Sequence, residues 1–135
     1  MSALARFFLD HGKFVCGYDK TPSELTESLE QQGIQIHFDD NSNLIPEKIK
    51  EDRSSLIIYT PAIPDEHLEL NYFKNNHFNV KKRSEVLGDI TRNKFTIAVG
   101  GTHGKTSTTS LITYLLTSIG IDCYALVGGI MSNYN

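Results

Sequence analysis

The amino-acid sequence predicts an α/β fold in which most strands are parallel. Segments of helical periodicity alternate with short apolar runs along the chain, and residues 55–60 and 95–99 form continuous apolar runs. Strands that are apolar on both faces are typical of parallel sheets with helices on each side. A chain of 135 residues can form one compact domain, or one domain and the start of another.

The first half of the chain is predicted to alternate helix and strand. A broad apolar face predicts a helix over residues 2–11, with Gly12 as its stop. Thr21 and Glu24 have the spacing of a capping box around a proline, so a second helix is expected to begin there and to end at Gly33. The strands predicted in this half are residues 14–18, 34–38 and 55–60.

The second half continues the same alternation. The elements expected there are a helix over 65–75, a strand at 78–81, a helix over 84–90 capped by Ser84, a buried strand at 95–99, a long helix after the glycines, and a strand at 123–127. The long helix is predicted to turn its apolar side chains inward, namely Leu111, Ile112, Leu115, Leu116 and Ile119. A polar stretch near residues 88–94 suggests a domain boundary between 1–90 and 91–135.

Charge and composition exclude several classes of partner. A formal net charge of -3 argues against a nucleic-acid or anionic-membrane surface. No apolar run approaches the roughly 20 residues of a membrane-spanning helix, and the first residues lack the pattern of a secretory signal. Cys16 and Cys123 both lie in apolar runs, which favours buried, reduced thiols over a disulfide or metal pair. The expected location is therefore the cytoplasm.

The strongest chemical signal lies between the predicted strand at 95–99 and the long helix. Glycines there can turn backbone N–H groups toward an anion, and the start of the helix adds unpaired donors and its dipole. Lys105 can reach the outer phosphates of a nucleotide, and Thr106 can offer its hydroxyl to Mg²⁺. The alternative is a glycine-rich turn without a function. The predicted ATP-binding residues are Gly101, Thr102, His103, Gly104, Lys105, Thr106 and Ser107.

The form of this loop, G-T-x-G-K-T, is shorter than the general phosphate-binding pattern and resembles the ATP loop of the Mur ligase superfamily. Other segments resemble motifs of its muramate–alanine branch in the same order along the chain. The matching segments are residues 1–5 with the end of G-I-G-G-x-G-M-S-x-x-A, 17–19 with G-S-D, 60–63 with S-S-A-I, 83–87 with R-A-E-M-L, and 127–129 with V-G-G.

The resemblance implies a Rossmann-like domain for the UDP part of UDP-N-acetylmuramate, followed by the beginning of a P-loop ATPase domain that uses ATP and Mg²⁺. In such ligases ATP phosphorylates the muramyl carboxylate, and the amine of L-alanine then attacks the acyl phosphate. The residues implied at the uridine site are Asp19, Thr60, Ala62 and Ile63. A G-H pair of many relatives corresponds here to Asp39 and Asp40, so a uracil contact from that loop is not carried over.

By this resemblance the chain starts inside the first glycine motif and stops before the acidic metal ligands and the amino-acid domain. We therefore expect it to lack the first strand of the sheet, to be inactive alone, and to be unstable or to self-associate.

The sequence identifies no catalytic residue. The four histidines outside the ATP loop, His11, His37, His67 and His77, are expected in surface or capping roles. Asp39, Asp40 and residues 47–52 are expected on solvated faces.

Three alternatives remain open. The first is the related ligase that attaches recycled peptides to UDP-muramate, which has the same ATP loop. The second is a stand-alone P-loop NTPase, for which the sequence offers no convincing second acidic motif. The third is a non-catalytic dinucleotide-binding module in which Asp19 holds a ribose, although the chain has no G-x-G-x-x-G before its first helix.

Overall fold

The computed structural model of the chain describes residues 1–127. They form two compact units, which are described separately. One unit is Phe14–Phe95, and the other joins Met1–Lys13 to the described residues from Thr96 onward. The predicted domains, 1–90 and 91–135, stay a prediction.

Parallel strand pairs form the sheets of the Phe14–Phe95 unit. Strand β1 (Cys16–Tyr18) pairs with β2 (Gln35–His37), and β3 (Leu56–Tyr59) pairs with β4 (Asn79–Lys82). Both pairings are parallel. This confirms the predicted α/β class with parallel strands.

Helices connect these strands and extend beyond them. Within residues 1–127 the helices are α1 (Ser2–Asp10), α2 (Glu24–Gln31), α3 (Glu47–Glu51), α4 (Leu68–Asn75), α5 (Arg83–Thr91) and α6 (Lys105–Ser118), with a 3-10 turn at Ser42–Leu44. The 3-10 turn and α3 were not predicted. None of these helices is long and apolar enough to cross a membrane.

Helix α2 begins later than the capping box predicted at Thr21. Its N-cap is Ser23, whose hydroxyl oxygen accepts a hydrogen bond from the Thr26 N–H at 3.3 Å, while the Thr26 hydroxyl oxygen accepts one from the Ser23 N–H at 2.8 Å. This reciprocal pair has the same three-residue spacing as the predicted box and satisfies two backbone donors. Gly33, at φ +93°, ends the helix as predicted.

Helix α5 also begins differently from its prediction. Its first residue is Arg83, so Ser84 lies inside the helix and is not the cap. The backbone N–H of Lys82 instead donates to Glu85 Oε2 at 2.6 Å. The carboxylate of Glu85, the third residue of the helix, thus satisfies a backbone N–H at the start of the helix.

A small apolar core holds the Phe14–Phe95 unit together. Ile45, Phe73 and Phe78 are buried, and the two phenylalanine rings meet edge to face with centroids 5.1 Å apart. Half-buried Ile57 and Val80 pack against this cluster from β3 and β4. The run at 55–60 is therefore a strand, but it is not covered on both faces as predicted, because Leu56 is 36% exposed.

Two predicted strands outside this core are wrong. Residues 95–99 and 123–127 have no strand structure, and Phe95 is 96% exposed. A strand needs a neighbouring strand to satisfy its backbone groups, and among residues 1–127 neither segment has one.

Helix α6 confirms the predicted long helix but not its inward-facing apolar stripe. Leu111, Leu115 and Ile119 are exposed, whereas Ile112 and Leu116 are half-buried. In the same unit, α1 ends before Gly12 at φ +70°, as predicted. The Phe7 ring of α1 meets the Tyr124 ring at a centroid distance of 5.2 Å.

Candidate functional site

The predicted phosphate loop is bent and leads directly into a helix. Gly101 has φ +150° and Gly104 has φ +74°, a left-handed conformation that favours glycine. Gly104 is the N-cap of α6, so the first helical residue is Lys105. The loop is therefore not extended, and residues 100–107 are exposed.

Lys105 reaches back across this loop. Its Nζ donates to the carbonyl oxygen of Gly101 at 2.6 Å and to that of Thr102 at 3.2 Å. An ammonium group has three donors, so these two bonds leave one donor for another acceptor. The side chain fixes a positive charge beside the first turn of α6.

The start of α6 offers further donors but no cluster of acidic ligands. Gly104 has no side chain, so no side-chain cap satisfies the first N–H groups of the helix. Among residues 1–127, no group of three or more His, Cys, Asp or Glu side chains could hold a metal ion. A divalent cation at this loop would depend on the exposed Thr106 hydroxyl and on oxygens of a bound phosphate, a common arrangement for Mg²⁺.

The predicted uridine residues lie just after two strands of the other unit. Asp19 follows β1 and is exposed, and its Oδ1 accepts from the Thr21 N–H at 3.3 Å. Thr60 follows β3, where its hydroxyl oxygen accepts from the Ala62 N–H and its carbonyl oxygen from the Ile63 N–H, each at 3.2 Å. No hydrogen bond among the described residues joins Asp19 to this turn.

A polar network after β2 was missed by the sequence analysis. Asp40 Oδ2 accepts from the Leu68 N–H at 2.8 Å, and its Oδ1 accepts from the Glu69 N–H at 3.1 Å. Asp40 was predicted to lie on a solvated face. It instead caps the first turn of α4. Asp39 is exposed, as predicted.

Two histidines belong to the same network. His37 Nε2 lies 2.5 Å from Glu69 Oε1, and the Asn41 N–H donates to the same oxygen at 3.2 Å. His37 therefore has neither of the roles expected, surface or capping, because its side chain is half-buried against Glu69. His67 is the N-cap of α4, where its Nδ1 accepts from the Leu70 N–H at 3.3 Å, which confirms a capping role. His37 and Asn41 lie 32 and 28 residues from Glu69 in the sequence. No local pattern could therefore reveal these two contacts.

Cys16 and Tyr18 are the first and last residues of β1, and only Tyr18 lies at its carboxyl end. The Tyr18 ring lies 4.7 Å from the His67 ring at 75°. Burial, and to a lesser degree the nearby Glu69 carboxylate, raises the pKa of the Cys16 thiol to about 11. Desolvation and then four carboxylates, with Asp40 first, raise the pKa of Tyr18. The carboxyl ends of β1 and β2 therefore lie in a region of negative potential.

Comparison with known proteins gives a consistent set of similarities. A family model described as "Mur ligase family, catalytic domain" matches residues 1–95. The chain is similar to UDP-N-acetylmuramate–L-alanine ligases of Parabacteroides distasonis, at 52% identity over 99% of the chain, and of Flavobacterium johnsoniae, at 53% over all of it. It spans only 29% and 30% of the lengths of these two relatives.

Two solved structures have a similar fold. One is UDP-N-acetylmuramate:L-alanyl-gamma-D-glutamyl-meso-diaminopimelate ligase from Neisseria meningitides, with a TM-score of 0.84 and 21% identity over all of this chain and 41% of that one. The other is UDP-N-acetylmuramate-alanine ligase from Thermotoga maritima, with a TM-score of 0.78 and 26% identity over 88% of this chain and 27% of that one.

Proposed function

The chain belongs to the Mur ligase family, and from this membership we propose that it supplies nucleotide-binding residues to an ATP-dependent ligase that adds L-alanine to UDP-N-acetylmuramate. The observation that carries this proposal is the bent loop from Gly100 to Gly104, whose last residue is left-handed and is the N-cap of α6. The alanine ligases to which the chain is 52% and 53% identical over nearly all of its length support it.

The loop is proposed to hold the phosphates of ATP. Backbone N–H groups at the start of α6 would face the phosphate oxygens, and Lys105 would exchange its two carbonyl partners for them. Thr106 would give its hydroxyl to Mg²⁺, which neutralises charge on the phosphates when bound. The contacting residues are proposed to be Gly101, Thr102, His103, Gly104, Lys105, Thr106 and Ser107. Their role is positioning and charge neutralisation.

The other half of the substrate is proposed to bind in a Rossmann-like domain, residues 1–90, ahead of a P-loop domain that begins at 91. Ligands of open parallel sheets bind beyond the carboxyl ends of the strands. Asp19 follows β1 and the turn from Thr60 to Ile63 follows β3, so both stand in that position. These residues, Ala62 included, would line the uridine of UDP-N-acetylmuramate. The free thiols of Cys16 and Cys123 suit the reducing cytoplasm.

The test is phosphate release from ATP by the protein that carries this sequence, supplied with UDP-N-acetylmuramate and Mg²⁺. We expect release that requires L-alanine, because the amine must attack the acyl phosphate. Release that requires L-alanyl-γ-D-glutamyl-meso-diaminopimelate instead would identify the peptide-recycling ligase. Release without any amino acid or peptide would favour a stand-alone NTPase, and the absence of release would refute the proposal.

A further inference from the structure

A groove runs between β4 and α5. Its volume is about 540 Å³, within the roughly 300–1,000 Å³ typical of ligand sites. It is lined by residues 79–81 of β4 and, on α5, by Glu85, Gly88 and Asp89, with Arg92 at the C-terminal end of that helix. The residues proposed to bind uridine follow the carboxyl ends of strands, whereas this groove extends to the amino end of β4. It is therefore a separate surface.

β4 is an edge strand, because among residues 1–127 it pairs only with β3. Alternate residues of a strand turn their backbone N–H and C=O groups to the same edge, so an edge strand leaves one of its two sets without a strand partner. The N–H of Lys82 belongs to that set, because it donates to Glu85 Oε2 at 2.6 Å. Val80, two residues earlier, turns its N–H and C=O to the same edge and lines the groove. The groove thus offers a donor and an acceptor to another extended chain.

Gly88 leaves the α5 wall of the groove without a side chain. Apart from α5 itself, no atom lies within 4 Å of the position that a Cβ atom at Gly88 would take. A glycine inside a helix costs about 1 kcal/mol relative to alanine. At this position it lets a bound backbone approach the helix closely.

The charges around the groove favour an acidic partner. Residues 79–94 contain five basic and two acidic side chains, although the whole chain has a formal net charge of -3. Both acidic groups are already engaged. Glu85 accepts the backbone N–H described above, and Asp89 pairs with Lys81 at 2.8 Å and with Arg92 at 3.2 Å. The Arg92 side chain is 74% exposed, so its guanidinium keeps donors for another carboxylate.

A second copy of the chain fits this edge poorly. Pairing of two β4 strands would bring Lys81 and Lys82 of each copy into one short ladder, with four ammonium groups close together. Like charges on paired strands are destabilising, and lysines on an edge strand oppose self-pairing for this reason. Carboxylates on an added strand would instead meet charges of opposite sign.

We propose that this groove binds an extended, acidic peptide segment of another protein, which adds to β4 as a further strand. The peptide backbone pairs with the N–H and C=O of Val80. Its carboxylates stand two residues apart, so they lie on one face of the added strand and meet Lys81 and Arg92. This inference goes beyond the proposed function and does not depend on it.

The experiment measures the fluorescence anisotropy of the labelled peptide T-E-V-E-V-E-T during titration with the full chain, and we expect saturable binding. The peptide T-Q-V-Q-V-Q-T lacks the charges and should bind about fivefold more weakly, the effect of roughly one exposed ion pair. The peptide T-E-P-E-P-E-T keeps the charges but lacks the N–H groups of its prolines, so it should not bind.

Gly88→Leu tests the groove itself. Leucine favours helices more than glycine does, so α5 should stay folded while the new side chain fills the groove. We expect the acidic peptide to bind at least about tenfold more weakly, because the filled groove excludes the added strand. Gly88→Ala adds a single carbon in open space and serves as the matched control.

Absence of binding, equal affinity for all three peptides, or unchanged affinity in Gly88→Leu would each overturn the inference and leave the proposed function intact. A lower average mass of Gly88→Leu in sedimentation equilibrium would also overturn it, because the groove would then be an interface between copies of the chain. A measurement on the unchanged chain avoids dependence on the variant's folding. The acidic peptide should shift the NMR signal of the Val80 N–H, and an unmoved signal would refute the pairing with β4.

Discussion

Lys105 is held over its own loop by two carbonyl oxygens, so its positive charge has a fixed position beside the first turn of α6. Local composition was sufficient to predict this loop as a phosphate site, because glycines, a lysine and hydroxyl residues follow each other in one short segment. The left-handed conformation of Gly104 fits the same pattern. By contrast, His67 and Asp40 are brought together from two distant segments. A contact of that kind has no counterpart in local sequence spacing.

Replacing Lys105 tests the loop at the level of one side chain. We expect Lys105→Ala to weaken binding of Mg·ATP at least tenfold, because a charge-assisted bond to phosphate is worth roughly 1.5–3 kcal/mol. The measurement is equilibrium titration of the full chain with a fluorescent ATP analogue. Lys20→Ala removes an exposed lysine that lies in the other unit and serves as the control. Equal affinities in the two variants would contradict the assignment.

Cys16 provides a pH prediction. Its pKa is raised from 9.0 to about 11, so at pH 8 its thiolate should be about 100-fold scarcer than in the unfolded chain. In a Cys123→Ser background, we expect iodoacetamide to modify Cys16 far more slowly in buffer than in urea. Because the protonated thiol is favoured in the fold, this contribution to stability is complete below pH 9 and is lost as pH rises through 11. Equal rates in buffer and urea would contradict the raised pKa.

At the scale of the element, helix existence was easier to predict than helix starts. The apolar periodicity of α1, α2 and α6 is a property of each segment, and all three helices form. Their first residues depend on which of several polar side chains reaches a backbone N–H. Ser23 took this role from Thr21, and at the start of α5 it is Glu85, not Ser84, that accepts a backbone N–H.

The stability of α4 should depend on its cap, the Asp40 carboxylate. Asp40→Ala removes the acceptor of two N–H groups, so we expect it to lower the free energy of unfolding by about 1–2 kcal/mol. Urea titration followed by circular dichroism measures the change. Asp39→Ala alters the exposed neighbour and should change stability by less than about 0.5 kcal/mol. Similar losses in both variants would show that the effect is one of charge and not of capping.

The absence of strand structure at residues 95–99 and 123–127 could not be predicted from the two segments alone. Both are apolar and rich in residues that favour strands, which is why the sequence suggested them. A strand exists only where a second strand satisfies its backbone groups, and that is a property of the surrounding fold. Among residues 1–127 no such partner is present for either segment. The final part of the V-G-G match, Gly128 and Gly129, lies outside the described residues.

At the scale of the whole molecule, the unit formed by Met1–Lys13 and the residues from Thr96 exposes apolar side chains that are four residues apart. Leu111, Leu115 and Ile119 on α6 are 58%, 55% and 74% exposed. Contiguous apolar surface of this kind favours association. This gives the self-association expected from the sequence a second and independent physical basis.

Sedimentation equilibrium should therefore show an average mass that rises with protein concentration. We expect the paired change Leu111→Gln and Leu115→Gln to reduce this rise, because it removes two apolar contacts from one face of α6. Leu68→Gln changes a leucine that is 60% exposed on α4 and serves as the control. A monomeric mass for the unchanged chain at all micromolar concentrations would contradict the prediction.

The unit that contains α1 is also discontinuous along the chain, and this has a consequence during synthesis. Phe7 leaves the ribosome early, but its ring partner Tyr124 follows only after all of Phe14–Phe95 has been made. At roughly 5–20 residues per second, the delay is on the order of ten seconds. The apolar face of α1 therefore stays without this contact during that delay, while the Phe14–Phe95 unit already has its own segments available for folding.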